Sequence, residues 1–93
     1  MQCTDVLLSE LDGRFYTGWS SDLLARIHEH NAGAVRSTAY RRPLRLIYYE
    51  ACLDPDDARR RERFLKTGKG KRYLNKLLEA SLGELRGDTL ERY

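Results

Sequence analysis

Apolar runs are short in this 93-residue chain, and none approaches the roughly 20 consecutive residues that a membrane-spanning helix requires, so no membrane partner is expected. The N-terminus, Met1-Gln2-Cys3-Thr4-Asp5, has no basic segment ahead of a long apolar stretch. No secretory leader is therefore expected, and the expected location is cytoplasmic. Cysteine is scarce: Cys3 and Cys52 stand far apart in no metal-ligand spacing, which points to two reduced thiols. No internal repeat or low-complexity segment is present. Thr67-Gly68-Lys69-Gly70-Lys71-Arg72 has the glycines and cations of a phosphate loop. It lacks the Walker spacing and a preceding strand, so no nucleotide cofactor is expected.

What the chain does have is charge, unevenly placed. A length of 93 residues with 41% hydrophobic and 33% charged content fits one small globular domain. Residues 36–76 hold 13 of the 17 basic residues against five acids, although the whole chain nets only +3. A cationic side of this kind recruits polyanions through counterion release, which favours nucleic acid over a merely solvated charged face.

The elements follow from local chemistry. Val6-Leu7-Leu8, the turn signal Asp12-Gly13 and Arg14-Phe15-Tyr16-Thr17 predict a β-hairpin. A helix capped by Ser21 or Asp22 is predicted to about Asn31, with Leu23, Leu24 and Ile27 as its apolar stripe and Gly33 past its end. Ala34 to Pro43 reads as a basic loop carrying Arg36, Arg41 and Arg42, and Leu44 to Glu50 as a third strand. Asp54-Pro55-Asp56-Asp57 starts a helix predicted to run to about Thr67. The glycines at 68 and 70 are read as a break, followed by a third helix from about Lys71 to Ser81. The expected fold is α+β, in a two-layer arrangement, with a three-stranded antiparallel sheet flanked by about three helices. Residues 1–82 form the expected domain and residues 83–93 a loose polar tail.

Tyr16 on the second strand, with Arg26 and His30 one turn apart on the first helix, bring a phenol, a guanidinium and an imidazole together. Each alone has a plainer reading: a packing tyrosine, a salt-bridge arginine, a helix-end histidine favoured by the dipole. On the second helix Glu62 shares a face with Ala58 and Leu65, and an inward carboxylate needs a positive partner. An arginine such as Arg26 and a divalent cation are equally open as that partner.

Phe15-Tyr16-Thr17-Gly18, Asp22-Leu23 to Arg26, Glu29-His30-Asn31, Arg41-Arg42-Pro43, Tyr48-Tyr49-Glu50, Ala58 to Glu62 and Leu65-Lys66-Thr67-Gly68, in that order, resemble the GIY-YIG nuclease domain. The variant resembled is the small stand-alone bacterial type, related to the incision subunit of nucleotide excision repair. The resemblance implies divalent-metal-dependent cleavage of a DNA phosphodiester, in repair or on branched DNA, with one Mg2+ or Mn2+ ion. Residue by residue it implies Tyr16, Arg26 and His30 as catalytic, with either Tyr16 or His30 as the base, and Glu62 as the metal ligand. Arg36, Arg41, Arg42, Lys66, Lys69, Lys71 and Arg72 would contact DNA.

The first signature tripeptide falls on Cys3-Thr4-Asp5, which puts Asp5 where the family has tyrosine. A carboxylate there ligates metal, repels phosphate, or marks a chain that binds nucleic acid without cutting it. That last alternative, a catalytically impaired binding module of the same fold, stands beside the endonuclease reading. A protein-interaction domain charged only for solubility is the third.

Overall fold

Alternation along β1 (Gln2–Ser9) separates two environments, and the rest of the fold follows from that division. In the computed structural model, which describes residues 1–90 and side-chain surroundings through residue 85, β1 is the centre of a three-stranded sheet. β2 (Phe15–Ser20) and β3 (Leu44–Cys52) pair with it antiparallel on either side. The register sets Asp5 opposite Gly18 and Leu7 opposite Tyr16. The hairpin closes through Gly13, whose φ of 71° lies in the left-handed region that glycine adopts without steric cost.

Val6 and Leu8 face one side and build the main core with Leu65, Leu74, Leu78 and Leu82. These leucines come from α2 (Pro55–Lys66), from α3 (Gly68–Leu77) and the residue after it, and from α4 (Glu79–Leu90). The Thr4 hydroxyl donates to the Ala58 carbonyl at 2.9 Å, fixing α2 against the same face. Asp5, Leu7 and Ser9 point the other way, toward α1 (Leu23–Asn31). Asp22 caps α1 by accepting from the Ala25 N–H at 3.1 Å. At the far end the Asn31 amide bonds both backbone groups of Leu44, at 2.9 and 2.8 Å, tying the helix to β3.

The class and the sheet are as expected, and the differences have local causes. Four helices flank the sheet, where about three were expected. Leu24, placed in the apolar stripe of α1, is 79% exposed, and the one buried residue of that helix is His30. The helix presents a polar inner face because the sheet beneath it carries Asp5 and Tyr16. The glycines at 68 and 70 do not break the chain into a loop: α3 begins at Gly68, because the Thr67 hydroxyl caps it by accepting from the Gly70 N–H at 3.0 Å. Residues 83–90 of the expected tail continue α4, whose Leu82 is buried and Leu85 half-buried against the core. Residues 91–93 of that tail lie outside the described residues.

Gly70 permits close crossing of α2 and α3. A Cβ there would overlap the Phe64 carbonyl oxygen and stand 2.6 Å from Leu65 Cα, both backbone atoms that cannot swing aside. Gly70→Ala is expected to destabilise by about 1–3 kcal/mol in denaturant unfolding. Gly83→Ala, with nothing within 4 Å, should change stability by no more than about 1 kcal/mol, toward greater stability. Equal effects at both positions would contradict this account of the crossing.

Candidate active site

β2 and α1 bring Tyr16 and His30 into ring contact, with centroids 5.2 Å apart and the planes tilted by 58°. The segment between α1 and β3 adds Ser37 and Thr38 to this cluster. His30 Nδ1 lies 2.7 Å from the Thr38 hydroxyl, and the Tyr16 hydroxyl lies 3.3 Å from that of Ser37. Thr38 in turn donates to the Val35 carbonyl at 3.4 Å, which leaves its oxygen free to accept from an Nδ1–H of His30. His30 is 1% exposed. Burial, and then the charge of Arg26, push its pKa down to about 4, so the imidazole is neutral at neutral pH.

Arg26 lies flat between helix and sheet, its guanidinium carbon 5.6 Å from the Tyr16 ring centroid. Its Nε donates to Asp5 Oδ2 at 2.7 Å. Gly18 makes room for this: a Cβ at that position would overlap Arg26 Nη2. Asp5 is fully buried on the central strand. Desolvation raises its pKa; the hydrogen bond and charge of Arg26 oppose the rise, and the negative charge of Glu62 adds to it. Asp5 Oδ1 and Arg26 Nη2 are both buried without a hydrogen-bond partner. The carboxylate that Arg26 meets is therefore Asp5, a partner the spacing along α1 and α2 did not suggest.

Glu62 comes from α2, and no hydrogen bond or ion pair joins it to Tyr16 or Arg26. Its carboxylate, 19% exposed, has Lys66 Nζ at 3.5 Å one turn on. Of the expected DNA contacts, Arg36, Lys69, Lys71 and Arg72 are exposed, the last three on the first turns of α3. Arg42 is exposed and donates to the Ala39 carbonyl at 2.6 Å. Arg41 is different: half-buried, it donates to Asp12 at 2.8 Å and to the carbonyls of Arg14 and Phe15 at 3.3 and 3.4 Å. That arginine is a staple between hairpin and loop.

Residues 3–76 match the GIY-YIG catalytic domain. The chain belongs to the GIY-YIG family. A UPF0213 protein of Desulfotalea psychrophila is 44% identical over 57 residues, covering 59% of this chain and 52% of the relative. Another, of Lacticaseibacillus paracasei, is 48% identical over 48 residues, covering 50% and 54%. A third, of Staphylococcus aureus, is 40% identical over 57 residues, covering 60% and 70%. The chain spans about half the length of the first two of these relatives. No solved structure matches it.

Within this GIY-YIG domain no group of three or more His, Cys, Asp or Glu side chains converges among the described residues. The donor set nonetheless fits a hard divalent ion. Magnesium is commonly held by one or two carboxylates with water and phosphate oxygens completing the shell, and Glu62 offers one carboxylate with only a loose lysine contact. No described helix is long and apolar enough to cross a membrane.

Two predictions follow from the buried groups. Asp5→Ala leaves the Arg26 guanidinium without its counter-charge and is expected to cost about 3 kcal/mol in denaturant unfolding; an unchanged midpoint would mean the pair carries no stability. For His30, a folded pKa of about 4 against the ordinary 6.5 gives stability that is complete above pH 6.5 and lost as pH falls toward 4. The loss is about 3 kcal/mol. His30→Gln should flatten the slope between pH 6.5 and pH 4; an unaltered slope would assign it to other groups.

Proposed function

We propose that the domain is a divalent-metal-dependent endonuclease that hydrolyses a DNA phosphodiester bond, on repair or branched substrates. The observation that carries this reading is the placement of Arg26. Its Nε donates to Asp5 at 2.7 Å and its guanidinium lies beside the Tyr16 ring, while Asp5 feels the negative charge of Glu62, so residues far apart in sequence address one place.

In this reading Tyr16, as the phenolate, takes the proton from the attacking water and becomes the neutral phenol. Among the described residues its hydroxyl meets Ser37, at 3.3 Å, and His30 is too deeply buried for that task. The neutral His30 ring, held by Thr38, fixes the tilt of the phenol. Arg26 Nε is taken by Asp5 and Nη2 is enclosed against Gly18, which leaves Nη1 to meet a non-bridging phosphate oxygen. Glu62 would hold one Mg2+ or Mn2+ ion, which when bound would offset charge on the phosphate and the leaving oxygen. Exposed Arg36, Arg42, Lys66, Lys69, Lys71 and Arg72 would position the DNA. Arg41 would support them from beneath.

One observation favours a second reading, a binding module that does not cut. The Asp5 carboxylate already sits on Arg26, where it competes with a phosphate for the same cation. That module would bind DNA in chelator with an affinity unchanged by Tyr16→Phe.

Branched, flapped and linear DNA incubated with the protein and magnesium or manganese should be cleaved. Glu62→Gln should lower the rate about a thousandfold, equivalent to several kcal/mol of charge stabilisation. Tyr16→Phe should lower it about a hundredfold. Equal product with wild type and Glu62→Gln would overturn the endonuclease and leave the binding module.

A further inference from the structure

A cleft of about 560 Å³ opens at the hairpin end of the sheet, between the β1–β2 turn, the 3-10 turn at Ala39–Arg41 and the start of α3. Asp12, Arg14, Phe15, Tyr40, Arg41 and Lys71 are among the residues lining it. We propose that this cleft is a subsite for one unpaired nucleotide of the DNA strand, its base on the Tyr40 ring and its phosphate between Arg14 and Lys71. The inference rests on the nuclease reading and narrows its substrate to DNA with a single-stranded segment next to the cut.

The floor of the cleft is pre-built. Arg41 is fixed by Asp12 and by two carbonyls, of Phe15 in β2 and of Arg14 before it, and the Ser9 hydroxyl donates to the Arg41 carbonyl at 2.7 Å. That ion pair also answers the one carboxylate among three cations. Arg14 and Lys71, exposed at the rim, form no side-chain hydrogen bond or ion pair among the described residues, so both remain available to an anion.

Among the described residues the Tyr40 ring makes no aromatic or cation contact and its hydroxyl no hydrogen bond. It is 74% exposed beside the half-buried Phe15, on a segment otherwise tied down by Thr38 and Arg41. An aromatic face in a basic cleft suits base stacking, and only an unpaired base has a face to offer. The volume lies within the range of about 300–1,000 Å³ usual for small-ligand sites and suits one nucleotide, too little for a duplex.

Continuity with the active site supplies the last argument. Ser37 and Thr38 touch Tyr16 and His30, and Tyr40 and Arg41 follow directly in the same segment. A strand whose phosphate lies at Tyr16 and Arg26 can therefore continue along residues 37–41 into the cleft.

The test is equilibrium binding, read by fluorescence anisotropy in chelator so that no cleavage intervenes, to a labelled single-stranded oligonucleotide and to the blunt duplex of the same sequence. Tyr40→Ala should weaken single-strand binding about tenfold and leave the duplex nearly unchanged, while Tyr40→Phe should retain wild-type affinity. Lys71→Ala should reduce the slope of log affinity against log salt by about 0.7 on the single strand. An equal loss on both DNAs, or no loss with Tyr40→Ala, would overturn the subsite. Because binding is measured without turnover, failure of the Glu62→Gln cleavage comparison leaves this result separately readable.

Discussion

The buried contact between Asp5 and Arg26 is the constraint on which the α1 side of the sheet depends. Taking a carboxylate and a guanidinium out of water costs several kcal/mol for each ion unless they meet at close range, and here they do, at 2.7 Å. That requirement fixes the seat of α1 over β1 and β2. It demands glycine at position 18, because the guanidinium occupies the space a side chain would fill. Burial is the main cause of the lowered His30 pKa, and the fixed positive charge of Arg26 adds to it. One hydrogen-bonded pair thus sets helix position and strand composition and reinforces the neutrality of the neighbouring imidazole.

The sheet separates stability from chemistry. Leucines from β1, α2, α3 and α4 enclose the core on one face, a non-directional association that tolerates many arrangements of similar volume. On the other face Leu7 and Leu44 are buried together with the polar groups Asp5, Ser9, His30 and Thr38, whose partners must stand at hydrogen-bond distance or the burial becomes unfavourable. Directional contacts of that kind hold groups in fixed geometry, which is what a reactive site requires. The segment between α1 and β3 belongs to this second system through Ser37, Thr38 and Arg41, and carries it from the Tyr16 pocket to the cleft at the hairpin end.

Much of this was legible in the residues. Hairpin, third strand, the Asp54 cap of α2 and the inward face of Ala58, Glu62 and Leu65 follow from turn chemistry and periodicity, and the structure has them, while it decides between Ser21 and Asp22 in favour of Asp22 as the cap of α1. The failures share one cause. Leu24 was grouped with Leu23 and Ile27 by hydrophobicity, yet the surface that meets α1 is polar, so Arg26 and His30 take the inner positions. The glycines at 68 and 70 looked like breakers, yet one of them is there because two helices cross closely. Arg41, expected at a phosphate, also holds the hairpin through Asp12. In each case a partner distant in sequence decided the residue's use.

The sequence by itself determined the three strands, the first two helices and their order, the cationic middle of the chain and the family, because these depend on neighbours within a few residues or on an ordered set of short motifs. Only the tertiary structure decided which charge answers which. Asp5 found Arg26, Arg41 found Asp12, and Glu62 met Lys66. Electrostatic pairing inside a fold turns on ångström distances and on the loss of water, and a linear chain specifies neither until the sheet and helices have closed on each other.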